Sequence, residues 1–386
     1  MNSIRRKILI WKLKHGDEYK QQDRPQVHAL IIEGIKSDPH IKYFLQFLGR
    51  MSSLTIILAQ FVPHEISGKY GTSIDSSYLQ ALHTAFLESM QFGKDFIFTY
   101  GPWGFLYGGY DPGTHSLALV IWIALSLLFW WTGWKIALHF SKNGLLSFIW
   151  IVTVSILAGL TPFQNIDVRL TEFVVLLLIL HFYVDDSHLT AGQILTIFAL
   201  SLISLIKFNF MVLGGGIILL LGIDTVIRFK RFPWVIILYS AGILLFWIIS
   251  GQKWDLIGSY FHYSLVLQAG FTEAMMTARQ NGMSAVIIFV ILSVCLCGLI
   301  GYTGWKRHRY IGILPFAGFS LIVFNAFKYG YVRHDGHEVT AVLILLFCSL
   351  AMLIIYTSEL RVDERWLFRS LITGGCPELS GDLTCK

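Results

Sequence analysis

Charge is scarce in this chain. Asp, Glu, Lys and Arg make up only 14% of its 386 residues, against 55% hydrophobic; soluble domains carry about 25% charged residues. That shortage excludes an ordinary soluble domain and points to an integral membrane protein. Cysteine is scarce too, with five in all. Cys295, Cys297 and Cys348 lie inside apolar runs, and Cys295 and Cys297, two residues apart, do not share a helix face. Cys376 and Cys385 fall in the tail. Neither a disulfide framework nor a metal cluster fits this usage. The first 40 residues lack an apolar core followed by a small-residue cleavage site, so no cleavable signal peptide is expected there. No nucleotide-binding motif occurs. The net charge of +6 is spread in short basic clusters, which reads as membrane topology and not as a nucleic-acid surface.

Apolar runs fill the sequence instead. Windows of about 20 residues predict spans near 42–62, 116–140, 144–162, 169–184, 190–208, 209–229, 233–250, 283–305, 310–327 and 338–357. The expected fold is therefore all-α: a polytopic transmembrane helix bundle of about ten spans in one domain, 42–357. A basic cytoplasmic leader (1–41) precedes it. A cytoplasmic tail (358–386) follows and reads as the end of a truncated longer chain. The Lys/Arg bias puts the leader, "KIALHFSK", "IRFKRF", "WKRHR" and "ELRVDERWLFR" on the cytoplasmic side. "YVDDSHLTAG" should share that side but is acidic. Five segments rich in polar groups then fall on the opposite face: 63–115, 161–169, 206–210, 251–282 and 327–338. Polar groups near membrane depth usually line an internal cavity, so a single outward-facing site is expected.

The longest of these segments, 63–115, exceeds a simple connector. From Asp75 to Gln91, Tyr78, Leu82, Phe86 and Met90 recur every four residues, with Leu79 and Leu87 broadening the stripe. That pattern predicts an amphipathic helix lying at the membrane interface. Asp75 opens it, either as an N-cap or as a carboxylate at the mouth of the site, fit for general-base work. "QFGKDFIFTYGPWGFLYGG" follows. Here Gly93 can end a helix, Pro102, Gly101 and Gly104 shape turns, and Tyr100, Trp103, Phe105 and Tyr107 suit an interfacial belt. The Lys94–Asp95 pair has no such explanation.

A weak first span, an acid opening a helix in a long outer loop, and G-x-D-x-x-x-x-Y-G-P before the second span together resemble the GT-C superfamily. Its members are polytopic glycosyltransferases of the protein-mannosyltransferase and aminoarabinose-transferase types. The likeness covers roughly residues 50–130. It implies transfer of a sugar from a polyprenyl-phosphate donor to a glycan, lipid or protein acceptor, and Asp75 as the catalytic acid of the first outer loop, with Asp95 second. Asp75 is followed by Ser76 where the family opening has a second acid. A divalent cation is the one cofactor the resemblance allows; no metal ligand is assigned.

The remaining outer segments supply cations and rings. "KYGYVRHDGHE" brings Lys328, Arg333, His334 and His337 to one span edge, where Arg and Lys suit phosphate oxygens and His can titrate or donate. Its His-x-x-His spacing matches no strong metal signature. Lys207 stands among apolar residues, either snorkelling or binding an anion. Arg279 lies in an aromatic-rich stretch suited to a sugar ring. Asp167 and Arg169 read as a local ion pair. The expected chemistry has Lys328, Arg333 and Lys207 neutralising the leaving phosphate while Asp75 deprotonates the acceptor. A transporter or flippase of an amphiphilic anion is the alternative.

Overall fold

Twenty-residue apolar runs satisfy their backbone internally only as helices, and helices are what the chain forms. The structure, a computed structural model, describes residues 39–63, 74–109, 111–141, 144–157, 165–184, 188–275, 283–308, 312–333 and 337–359. Among them are twelve α-helices and no strand. In chain order they are α1 (Pro39–Phe61), α2 (Ile74–Leu87), α3 (Pro112–Phe140), α4 (Gly144–Leu157), α5 (Asn165–Ile179), α6 (Ala191–Ser204), α7 (Phe208–Phe229), α8 (Trp234–Ile249), α9 (Ile257–Met275), α10 (Met283–His308), α11 (Ile313–Arg333) and α12 (His337–Glu359). Every segment expected to be a span coincides with one of them. Five are long and apolar enough to cross a membrane: Pro112–Phe140, Phe208–Phe229, Met283–Lys306, Ile313–Val332 and His337–Tyr356. By length and composition this is a multi-pass membrane protein.

Local sequence explains several boundaries. Asp111 caps α3, accepting the Gly113 N–H at 2.8 Å ahead of Pro112 at the first helical position, where a missing N–H costs nothing. Thr190 and Gln193 form a reciprocal capping box at the start of α6. Lys230 ends α7 in the left-handed conformation.

The centre of the bundle is α5. Residues Leu170 to Tyr183 are buried without a break, because α3, α6, α7, α11 and α12 all pack against it. From Phe173 to Leu180 the chain is apolar on every side and has nowhere else to go. Its end widens into a π-helical turn, Leu180–Val184.

The outer segment 251–282 contains α9, which buries Tyr260 and Ser264 four residues apart. One expectation about the outer segments changes. The stripe of α2, expected to lie on lipid, is covered by protein: Tyr78 stacks on Tyr100 and Phe86 meets Phe105 at 4.2 Å. The helix stops at Leu87, short of Gln91, as Ser89 and then Gly93 take positive φ. The leader through residue 38 and the tail beyond residue 359 lie outside the described residues.

Candidate functional site

Segments 91–109, 165–169, 205–210, 251–253 and 327–331 converge at one end of the bundle, fastened step by step. The first tie is a pair of glutamines. Gln252 accepts the Phe92 N–H at 2.7 Å and donates to Met90 O at 3.0 Å; Gln91 accepts the Lys253 N–H at 2.8 Å and donates to Gly251 O at 3.2 Å. The second is a short antiparallel contact. Phe208 N–H bonds Thr99 O at 2.8 Å, Gly101 N–H bonds Ile206 O at 3.2 Å, and Trp103 N–H bonds Leu205 O at 3.1 Å. This contact explains the Tyr-Gly-Pro motif. A Cβ on Gly101 would overlap the Leu205 carbonyl oxygen and stand 2.9 Å from Tyr260 Oη, so only glycine lets the two backbones meet.

The antiparallel contact delivers Lys207 into the middle of the cluster. Its Nζ donates to both carboxylate oxygens of Asp167, at 2.9 and 3.1 Å, and approaches Tyr107 Oη at 3.3 Å. Tyr107 in turn donates to Asp167. Aromatic rings wall the ammonium: Tyr107 and Tyr329 at 4.8 Å and Tyr100 at 5.6 Å to the centroids. Tyr78 and Phe98 stack on Tyr100, each at 5.5 Å. Lys207 keeps 14% of its side chain exposed and Asp167 only 5%. Burial first, then neighbouring charge and phenols including Asp167, pushes the Tyr100 and Tyr107 hydroxyls well above their usual range. Both stay phenols, able to donate.

The cluster gathers some expected residues and leaves others out. Tyr100 and Lys207 form it. His337 joins through Tyr329, ring to ring at 4.7 Å, and Lys328 is exposed beside Tyr329. Asp75 occupies the first turn of α2, three residues before Tyr78, and Arg333 closes α11 four residues after Tyr329; both side chains lie outside the described residues, as do Arg279 and His334. Trp103 stands apart, buried and donating to Phe246 O at 2.9 Å. Asp95 is exposed and accepts the Gln91 N–H at 3.1 Å, so the Lys94–Asp95 pair tips a tight turn. The expected Asp167–Arg169 ion pair is replaced: Asp167 bonds Lys207, and Arg169 lies over the rings of Phe61 at 5.4 Å and Trp122 at 6.0 Å.

Sequence reasoning missed Tyr78, Tyr107, Tyr329 and the role of Asp167. One signal was available for Asp167, since a lysine inside an apolar run needs a counter-ion. At the opposite end of α5, Asp224 accepts from His181 at 2.7 Å and Arg228 at 2.6 Å, fully buried. Among the described residues no group of three His, Cys, Asp or Glu is placed to hold a metal ion. No family model matches the chain, and no curated protein or solved structure is significantly similar to it.

Proposed function

We propose that the protein is a membrane glycosyltransferase of the bacterial inner membrane. It moves a sugar from a polyprenyl-phosphate donor to an acceptor on the non-cytoplasmic face. One observation carries this reading: a continuous ionic and aromatic cluster runs from α2, the helix with Asp75 in its first turn, through Tyr78, Tyr100 and Lys207 to Tyr329 and His337. Aromatic faces fit the apolar C–H faces of a sugar ring, and phenol hydroxyls fit its rim. In this reading ten helices span the bilayer and the cluster faces outward. Asp75 deprotonates the acceptor, and Lys328 and Arg333 steady the departing phosphate. Lys207, already paired with Asp167, holds the site's shape.

Substituting Asp75→Asn should abolish glycan product while expression and membrane insertion stay intact. Unchanged product formation rejects Asp75 as the base. Labelling of cysteines introduced at Asp75 and Arg333 should come from the same side of the membrane.

A second reading, a transporter or flippase of an anionic lipid-linked glycan, draws on the buried His181–Asp224–Arg228 group, since ionisable residues inside a bundle commonly mark transport pathways. Lipid-linked glycan crossing reconstituted vesicles without sugar transfer would favour it.

A further inference from the structure

The centre of α5 contains a second buried acid that the glycosyltransferase reading does not use. Glu172 is 0% exposed, and neither carboxylate oxygen has a hydrogen-bond partner among the described residues. It lies five residues past Asp167, about 7.5 Å deeper along the helix axis. An ionised carboxylate without hydrogen bonds in such a place is strongly disfavoured.

The surroundings explain how the acid persists. The helices packed on α5 have no Asp, Glu, Lys, Arg or His in their middle stretches: 116–134 of α3, 191–204 of α6, 208–223 of α7, 313–327 of α11 and 339–358 of α12. Their charged groups stand at the ends. Lys207 engages Asp167, Asp224 and Arg228 engage His181, Lys135 donates to Thr190, and Lys328, His337 and Glu338 sit at the cluster end. Arg169, three residues before Glu172, is the charge that acts on it. Its guanidinium lies over Phe61 and Trp122, with Nη1 donating to Phe61 O at 3.4 Å.

We propose that Glu172 is a proton-binding site inside the bundle, holding its proton in this arrangement and releasing it as Arg169 turns from the Phe61 and Trp122 rings onto the carboxylate. The step balances simply: the acid O–H bond breaks, the proton passes to water, and the new carboxylate takes the guanidinium charge as its partner. The site thus has two states, a neutral acid beside a ring-held arginine and an ion pair. This ligand, the proton, is independent of any sugar chemistry at the cluster end.

Infrared spectra of the full-length protein in lipid, recorded across a pH series, test the assignment. Wild type should show a carboxylic-acid C=O band that weakens as pH rises, and Glu172→Gln should lack it. Arg169→Gln, which removes the partner of the ionised state, should keep the band to higher pH. Identical acid-region spectra for wild type and Glu172→Gln overturn the proposal. Should the variant fail to insert, an apolar carbodiimide applied to wild type decides. A Glu172 adduct that diminishes at alkaline pH supports the site. Its absence, in protein whose Glu172 reacts once unfolded, refutes it.

Discussion

Removing Lys207 should cost the protein more than removing both Lys207 and Asp167. In Lys207→Met the apolar stem still fills the space between Tyr100, Tyr107 and Tyr329, but the Asp167 carboxylate, 5% exposed, loses two charge-assisted hydrogen bonds. Breaking a buried pair from one side costs about 3–5 kcal/mol. The lower end applies here, since Tyr107 still donates to Asp167 and Lys207 is partly open to solvent. Asp167→Asn keeps an acceptor for both donors and should cost about 2 kcal/mol, the order of a hydrogen bond to a charged group. The double variant leaves no unpaired charge and should cost less than Lys207→Met alone, which requires a coupling larger than the roughly 2 kcal/mol of Asp167→Asn. Reversible unfolding in mixed micelles, followed by tryptophan fluorescence, measures all four corners of the cycle. Single effects that add to within about 0.5 kcal/mol would show that the pair is not coupled and that the cluster is not held as described.

Gly101→Ala should destabilise by about 1–3 kcal/mol through forced overpacking and loosen the 99–103 contact with 205–208, whereas Gly215→Ala, whose Cβ would meet open space, should be neutral or stabilising; the same micelle unfolding compares them. Gln252→Ala strands the buried Phe92 N–H and should cost about 2–3 kcal/mol, detectable as faster proteolysis between residues 88 and 98. His83, buried and bonded to Thr114 and Gly108 O, has its protonation pushed below the usual histidine range chiefly by burial. The unfolded chain therefore binds this proton first, so stability is full above about pH 6.5 and declines as pH falls from there towards the depressed folded value. His83→Gln should flatten that acid-side decline in pH-dependent melting, and an unchanged slope would remove His83 as its source.

Much of the fold is legible in the amino-acid sequence. Apolar runs too long for strands and too poor in charge for water dictate helices, and each run from 42–62 to 338–357 is one. The helix after Asp75 was legible from its four-residue stripe. What covers that stripe was not, because Tyr78, Leu82 and Phe86 have the same spacing whether they meet lipid or the rings of Tyr100 and Phe105. Lys207 was visible as a misfit in an apolar run, yet its partner lies 40 residues earlier, and nothing local distinguishes Asp167 from its neighbour Arg169 as the centre of the cluster. Tyr329 is one of 16 tyrosines until α11 brings its ring against the ammonium. One-dimensional pattern thus determines which segments become helices, since that depends on hydrophobicity and backbone hydrogen bonding within each segment. Only the packed structure decides which ionisable groups bond one another and which, like Glu172, have no hydrogen-bond partner among the described residues, because those encounters depend on the rotation and depth of helices far apart in the chain.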